Sequence, residues 1–226
     1  MNLHPKLLEN IRHKGYEKPL PIQRAAFSLI CAGYDVIGHA ATGGGKTAAY
    51  LIPIIDYILA AKTRSGSKAS MPYCIVISPT KELAEQLYDD AQDFSHQVDC
   101  RVVLCFGEIP VRENITEIRK GCDILIATVG RLCDYLTRGE FCGFYDDLVE
   151  NLLPRCKAVR LNDLIVGLQK LLFSATDSAD LETLKKDFVS PKATKIVVGT
   201  LNTVNRHIEQ RILLVLFVEH FFGSFC

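Results

Sequence analysis

The run Thr42-Gly43-Gly44-Gly45-Lys46-Thr47 gathers the groups that phosphate chemistry needs. A chain of phosphates is held by a concave ring of backbone N–H groups. Glycines permit both the tight turn and the close approach. The apolar segment from Ala48 to about Ala61 predicts a helix, whose N-terminus would aim aligned N–H dipoles at the same anion. Lys46 can reach the β and γ phosphates of a nucleoside triphosphate as a point charge, and the Thr47 hydroxyl can ligate Mg²⁺. The alternative is a glycine-rich turn with an unrelated Lys-Thr pair. The strand expected over residues 34–38 and the helix behind the glycines favour the phosphate loop.

Positioning such a loop takes a sheet with helices packed on it. Residues 74–78, 101–106, 123–127, 171–174 and 195–198 read as further buried strands. Leu7, Leu8 and Ile11 make a short amphipathic turn ended by Gly15. Helices are expected over residues 23–31, 81–94, 115–120, 131–137 and 179–188, with Pro53 bending the one after the glycines. Residues 63–70 are small, polar and charged, which predicts a surface loop. Strands alternating with helices mean an α/β domain with a mainly parallel sheet flanked by helices.

The chain has 226 residues, with 48% apolar and 23% charged. That suits one large domain or two small ones, and excludes a disordered tail, a collagen-like fibre or a disulfide-stapled miniprotein. The 26 basic and 26 acidic residues cancel, so bulk charge does not announce nucleic-acid binding, and local groups must supply it. None of the nine cysteines forms a C-x-x-C pair, which disfavours structural zinc. An odd count with no signal sequence leads us to expect reduced, mostly buried thiols in an intracellular protein, cytoplasmic rather than nuclear. No membrane partner is expected, because no segment supplies the roughly 18 apolar residues of a span. The final ILLVLFVEHFFGSFC comes closest, and Glu219 and His220 interrupt it.

Ala40-Ala41-Thr42-Gly43-Gly44-Gly45-Lys46-Thr47 resembles motif I of the DEAD-box RNA helicases, usually A-x-T-G-S-G-K-T, with Gly44 in place of the serine. Upstream, Gly15-Tyr16-Glu17-Lys18-Pro19-Leu20-Pro21-Ile22-Gln23 resembles their Q motif. The resemblance implies a RecA-like P-loop domain that binds ATP and Mg²⁺. Tyr16, Gln23 and residues 40–47 would bind ATP, and Thr47 the metal. The Gln23 amide would pair with N6 and N7 of adenine, selecting ATP over GTP. Pro79-Thr80-Lys81-Glu82-Leu83-Ala84 resembles motif Ia, and Thr128-Val129-Gly130-Arg131 resembles motif Ib. They imply RNA as a partner, its backbone touched by Pro79, Thr80, Lys81, Thr128, Gly130 and Arg131. Ordinary helix capping by Thr80 and Thr128 is the other reading, and both can hold together. Ser174-Ala175-Thr176 resembles motif III, which in the family couples ATP hydrolysis to strand separation. Val198-Gly199-Thr200-Leu201-Asn202, with Ile208-Glu209-Gln210, is most similar to the Vasa-like branch.

The resemblance covers the first of the family's two RecA-like domains, and the motif that names the family is missing. No Asp-Glu-Ala-Asp stands between Arg131 and Ser174. Arg138-Gly139-Glu140-Phe141 is similar to the segment before that motif's strand, and Cys142-Gly143-Phe144-Tyr145-Asp146-Asp147 to the segment after the motif. Roughly 20 residues are therefore expected to be lost, one central strand with its acidic end. That strand would lie beside the P-loop strand, and residues 159–168, carrying Asp163, could fill its place. In phosphoryl transfer the acidic strand end positions Mg²⁺ and a nearby carboxylate orients water. Losing a general base alone costs about 10²–10⁴-fold. Little or no ATP hydrolysis is expected from this chain. The alternatives are a non-catalytic ATP- and RNA-binding remnant or an incomplete gene model. Phe106-Gly107-Glu108 stands where a glycine doublet is usual in the family, and Glu108 would repel RNA phosphates. The chain is expected to divide into a Q-motif region with the first strand (1–38), a RecA-like part truncated around 141–143 (39–211) and an apolar tail (212–226).

Overall fold

A computed structural model describes residues 3–65, 72–137, 169–175 and 189–199. The expected helix at 179–188, Thr176, the join at 138–147, the candidate filler strand at 159–168 and the Vasa-like and apolar stretches from 200 onward lie outside them. Helices α1 (Pro5–His13) and α2 (Pro21–Cys31) each open on a proline, whose missing N–H has no helical partner to lose. There follow β1 (Val36–Ala40), α3 (Lys46–Ser65), β2 (Cys74–Ser78), α4 (Lys81–Phe94), β3 (Val102–Cys105) and α5 (Val111–Arg119). The order continues with β4 (Ile124–Thr128), α6 (Val129–Thr137), β5 (Leu171–Ser174) and β6 (Thr194–Val198).

Every strand pairing among the described residues is parallel, as expected of an α/β domain. The described strands fall into two sheets of three, ordered β5-β1-β6 and β2-β4-β3. This corrects the expected place of the gap. β1 has a partner on each side, with Val36 opposite both Leu171 and Thr194, so the phosphate-loop strand is not the one left short. Among the described residues the outer strands β5, β6, β2 and β3 have one neighbour each. Asp35 ties off the start of its sheet. Its carboxylate accepts from the Lys170 N–H at 2.8 Å and the Ser190 N–H at 3.2 Å, and its carbonyl from the Thr194 N–H.

Two boundaries moved for identifiable reasons. α3 reaches Ser65, taking in residues 63–65 that were expected as loop. Thr63 Oγ1 donates to the Leu59 carbonyl at 2.8 Å and Arg64 Nε to the Ala60 carbonyl at 3.1 Å, so these polar side chains are satisfied within the helix. β1 begins at Val36 and runs through Ala40, because Gly33 turns the chain at φ +80° and leaves Tyr34 exposed.

β4 is covered on both faces, as a central parallel strand must be. Ile124 and Ile126 join Leu51, Ile55 and Ile58 of α3 and Leu87 and Phe94 of α4 in one core. Leu125 and Ala127 face Leu132 and Tyr135 of α6 in a second. A third core places Ile22, Ala26 and Ile30 of α2 against Val36 and Ala40 of β1, with Ala49 of α3. α3 thus packs into the cores of both sheets.

Cys100, Cys105 and Cys122 are buried, and burial pushes the Cys100 thiol up to about 12 and Cys105 up to about 11. Cys31 is exposed and Cys74 half-buried, and all five of these thiols are free. The far end of α3 is pinned by a buried ion pair. Lys62 Nζ lies 2.7 Å from Asp123 Oδ2, which also accepts from the Arg101 N–H at 2.6 Å. Asp123→Asn keeps an acceptor but removes the buried charge, leaving Lys62 only the exposed Asp99 carboxylate and its carbonyl, each at 3.0 Å. It is expected to lower unfolding stability by about 2 kcal/mol, read from urea denaturation. An unchanged midpoint would mean the pair contributes nothing.

Candidate functional site

The glycine loop leaves the C-terminal end of β1 and enters α3 at Lys46. Gly43 and Gly45 hold φ of +77° and +79°, which residues with a Cβ rarely adopt. A Cβ on Gly44 would lie 2.8 Å from the Ala41 carbonyl oxygen, so the serine of the usual motif would strain this loop as it stands. The Gly44 N–H donates to that same oxygen at 2.9 Å. Lys46 Nζ donates to the carbonyls of Ala40 at 2.7 Å and Ala41 at 2.8 Å, and burial lowers its pKa from the ordinary lysine value. Ala41, Thr42 and Gly43 are exposed and Thr47 is half-buried.

Gln23 is brought to this loop, though not with its amide turned outward. It is 9% exposed. Its Oε1 accepts from the Leu20 N–H at 2.8 Å, and its Nε2 donates to the Gly45 carbonyl at 3.2 Å. A Cβ on Gly45 would lie 2.5 Å from that Nε2 and 2.7 Å from Leu20 Cδ1. The amide therefore ties the start of α2 to the loop. Tyr16 packs elsewhere, with its ring 6.0 Å from that of Phe94 in the core between α1 and α4. Ser174 stands opposite His39, one position before Ala40, so the third motif adjoins the strand that carries the loop. Ala175 is half-buried beside it.

Mg²⁺ is ordinarily held by one or two carboxylates together with substrate phosphates. Here Thr47 offers a hydroxyl, and no group of three or more metal-ligating side chains occurs among the described residues. These residues do not by themselves complete a magnesium site.

The remaining candidates gather at the C-terminal end of the other sheet. Ser78 pairs with Thr128, which sets the two motif loops side by side. Pro79 and Thr80 are exposed. Thr80 Oγ1 accepts from the Leu83 N–H at 3.3 Å, so the capping role is filled there. Thr128 closes β4 and α6 starts at once, with Gly130 exposed. Lys81 forms an ion pair with Glu108 and lies 4.9 Å from the centroid of the Phe106 ring. The Glu108 carboxylate raises the Lys81 pKa. Arg131, expected to touch RNA, is turned inward and is 8% exposed. Its guanidinium donates to the carbonyls of Phe106 at 3.1 Å, Gly107 at 2.5 Å and Ile109 at 2.7 Å. It holds the loop after β3 in place. Sequence reasoning missed Leu20 and Phe106. Leu20 lies within the Q-motif stretch, which was a usable signal, whereas nothing about Phe106 alone announced a cation contact.

A sequence profile of the DEAD/DEAH box helicases matches residues 20–184. The chain belongs to this family. It is 34% identical over 92% of its length to a probable ATP-dependent RNA helicase ddx3 of Dictyostelium discoideum, covering 33% of that protein. It is 31% identical over 95% of its length to a probable ATP-dependent RNA helicase DDX4 of Pelophylax lessonae, covering 32% of it. The chain thus spans about a third of these relatives. Among solved structures, it superposes on the RNA helicase Prp28 from Chaetomium thermophilum bound to ADP with a TM-score of 0.69. The identity is 29%, over 88% of this chain and 49% of that one. A DEAD box protein from Methanococcus jannaschii gives 0.69 at 25% identity, over 87% of this chain and 54% of that one. These neighbours and the parallel sheets identify the fold as RecA-like. No described helix is long and apolar enough to cross a membrane.

Proposed function

We propose that this DEAD-box chain is an ATP- and RNA-binding RecA-like half of a helicase with little or no hydrolytic activity of its own. The observation that carries the nucleotide reading is the junction at Gly45. There the glycine loop, the Lys46 ammonium and the Gln23 amide meet at one strand end. Lys46 would exchange the Ala40 and Ala41 carbonyls for phosphate oxygens, and the loop N–H groups would hold the rest of the phosphate chain. Adenine recognition by Gln23 requires its amide to leave Leu20 and Gly45. Thr80, Lys81, Thr128 and Gly130 share one sheet end and suit a sugar-phosphate backbone. Ser174 pairs with His39 on the strand that carries the phosphate loop and would link the two sites.

The absence of Asp-Glu-Ala-Asp from the sequence supports the impaired reading. ATP-binding and hydrolysis are separable by experiment. Purified 1–226 is expected to bind a fluorescent ATP analogue saturably while releasing phosphate no faster than a buffer blank, with or without RNA. ATP-dependent strand displacement by this chain would overturn the impaired reading. Absence of any saturable nucleotide binding would overturn the binding one.

A further inference from the structure

We infer that Glu108 is an internal competitor for the anion that Lys81 would otherwise hold. Its carboxylate stands in for an RNA phosphate and sets the RNA affinity of this sheet end. The inference deepens the RNA reading above and rests on it. Three observations meet here. First, Lys81 opens α4 at the sheet end shared with Thr80, Thr128 and Gly130, and its ammonium is paired with Glu108. Second, Glu108 is held in position. Arg131 fixes the carbonyls of Phe106 and Gly107 before it and Ile109 after it, and the Phe106 ring lies under the same ammonium. Third, the pair is reachable from solvent, with the Lys81 side chain 33% exposed and that of Glu108 72%.

An exposed ion pair of this kind is weak enough to be exchanged. A phosphate competes with the carboxylate for one ammonium, and it approaches a neighbourhood where Glu82 and Glu85 already add negative charge around Lys81. Binding RNA through Lys81 therefore means breaking the Glu108 contact. Released from it, Lys81 would meet a phosphate directly.

The test is anisotropy of a labelled oligouridylate against the whole chain and its variants Glu108→Gln, Lys81→Ala and the double variant. Glu108→Gln should tighten binding about threefold to fivefold, the range of one exposed ion pair. It should also steepen the salt dependence by about 0.7 in log K against log salt, one more single-strand phosphate contact. Both changes should vanish in the Lys81→Ala background. Tightening of equal size in both backgrounds would overturn the inference, since Glu108 would then act only as a general repulsive charge. Binding by the parent chain with no change in Glu108→Gln would overturn it and leave the RNA reading standing. Failure of all four proteins to bind would overturn the RNA reading and this inference with it. Glu108 is exposed, so thermal melts of the variants should match the parent chain.

Discussion

Lys46→Ala is expected to lower affinity for a fluorescent ATP analogue on the order of 100-fold, with the melting temperature nearly unchanged. The lost group is the cation at the phosphate loop, and charge-assisted hydrogen bonds of this kind are the strong ones. In the structure the ammonium bonds the carbonyls of Ala40 and Ala41. Ala41 is exposed, so water can replace the lysine there, and the loss at the buried Ala40 is confined to one hydrogen bond. Desolvation lowers the Lys46 pKa, and binding a polyanion would raise it again. Equal analogue binding by the parent chain and the variant would mean that the nucleotide is held elsewhere.

Arg131→Ala should cost about 4 kcal/mol of unfolding stability in urea denaturation. A buried guanidinium that donates to three carbonyls cannot be removed without leaving several acceptors unpaired. Arg131→Lys should recover only part of this, because a point charge cannot span carbonyls on both sides of Glu108. The experiment separates positioning from contact. If Arg131→Ala keeps its stability and loses RNA binding alone, the side chain is an RNA ligand after all.

The phosphate loop was legible because its chemistry is local. Glycines with positive φ, a lysine and a threonine must be contiguous to work, and the strand before them and helix after them carry clear periodicity. The bounds of α4 over 81–94 were equally plain, since Thr80 supplies a cap and Ala84, Leu87 and Ala91 a buried face. The direction of Arg131 was not legible. The threonine, glycine and arginine of a backbone-binding motif look the same whether the arginine turns out toward phosphate or in toward carbonyls, and those carbonyls lie 22 to 25 residues earlier. The same limit applied to Gln23, whose internal partner Gly45 is 22 residues later. The place of the gap was hidden because strand order depends on which distant segments pair. Residues 63–65 read as loop by composition, and only side-chain bonds to the preceding turn show why they extend α3.

The division into two sheets has a consequence for how the protein assembles. β2, β3 and β4 are joined by short crossovers and can find one another early. The sheet that carries the phosphate loop needs Asp35 and β1 to meet a segment 135 residues further along. Contacts of such separation form late, after the entropy of closing a long loop has been met. The nucleotide site is therefore expected to stand on the part that folds last and opens first, an order that hydrogen exchange of β1 and β5 against β4 would check. Anything that binds there draws the equilibrium toward the closed chain. The ligand becomes a member of the folding reaction, and the half of the protein remote from it matures without help.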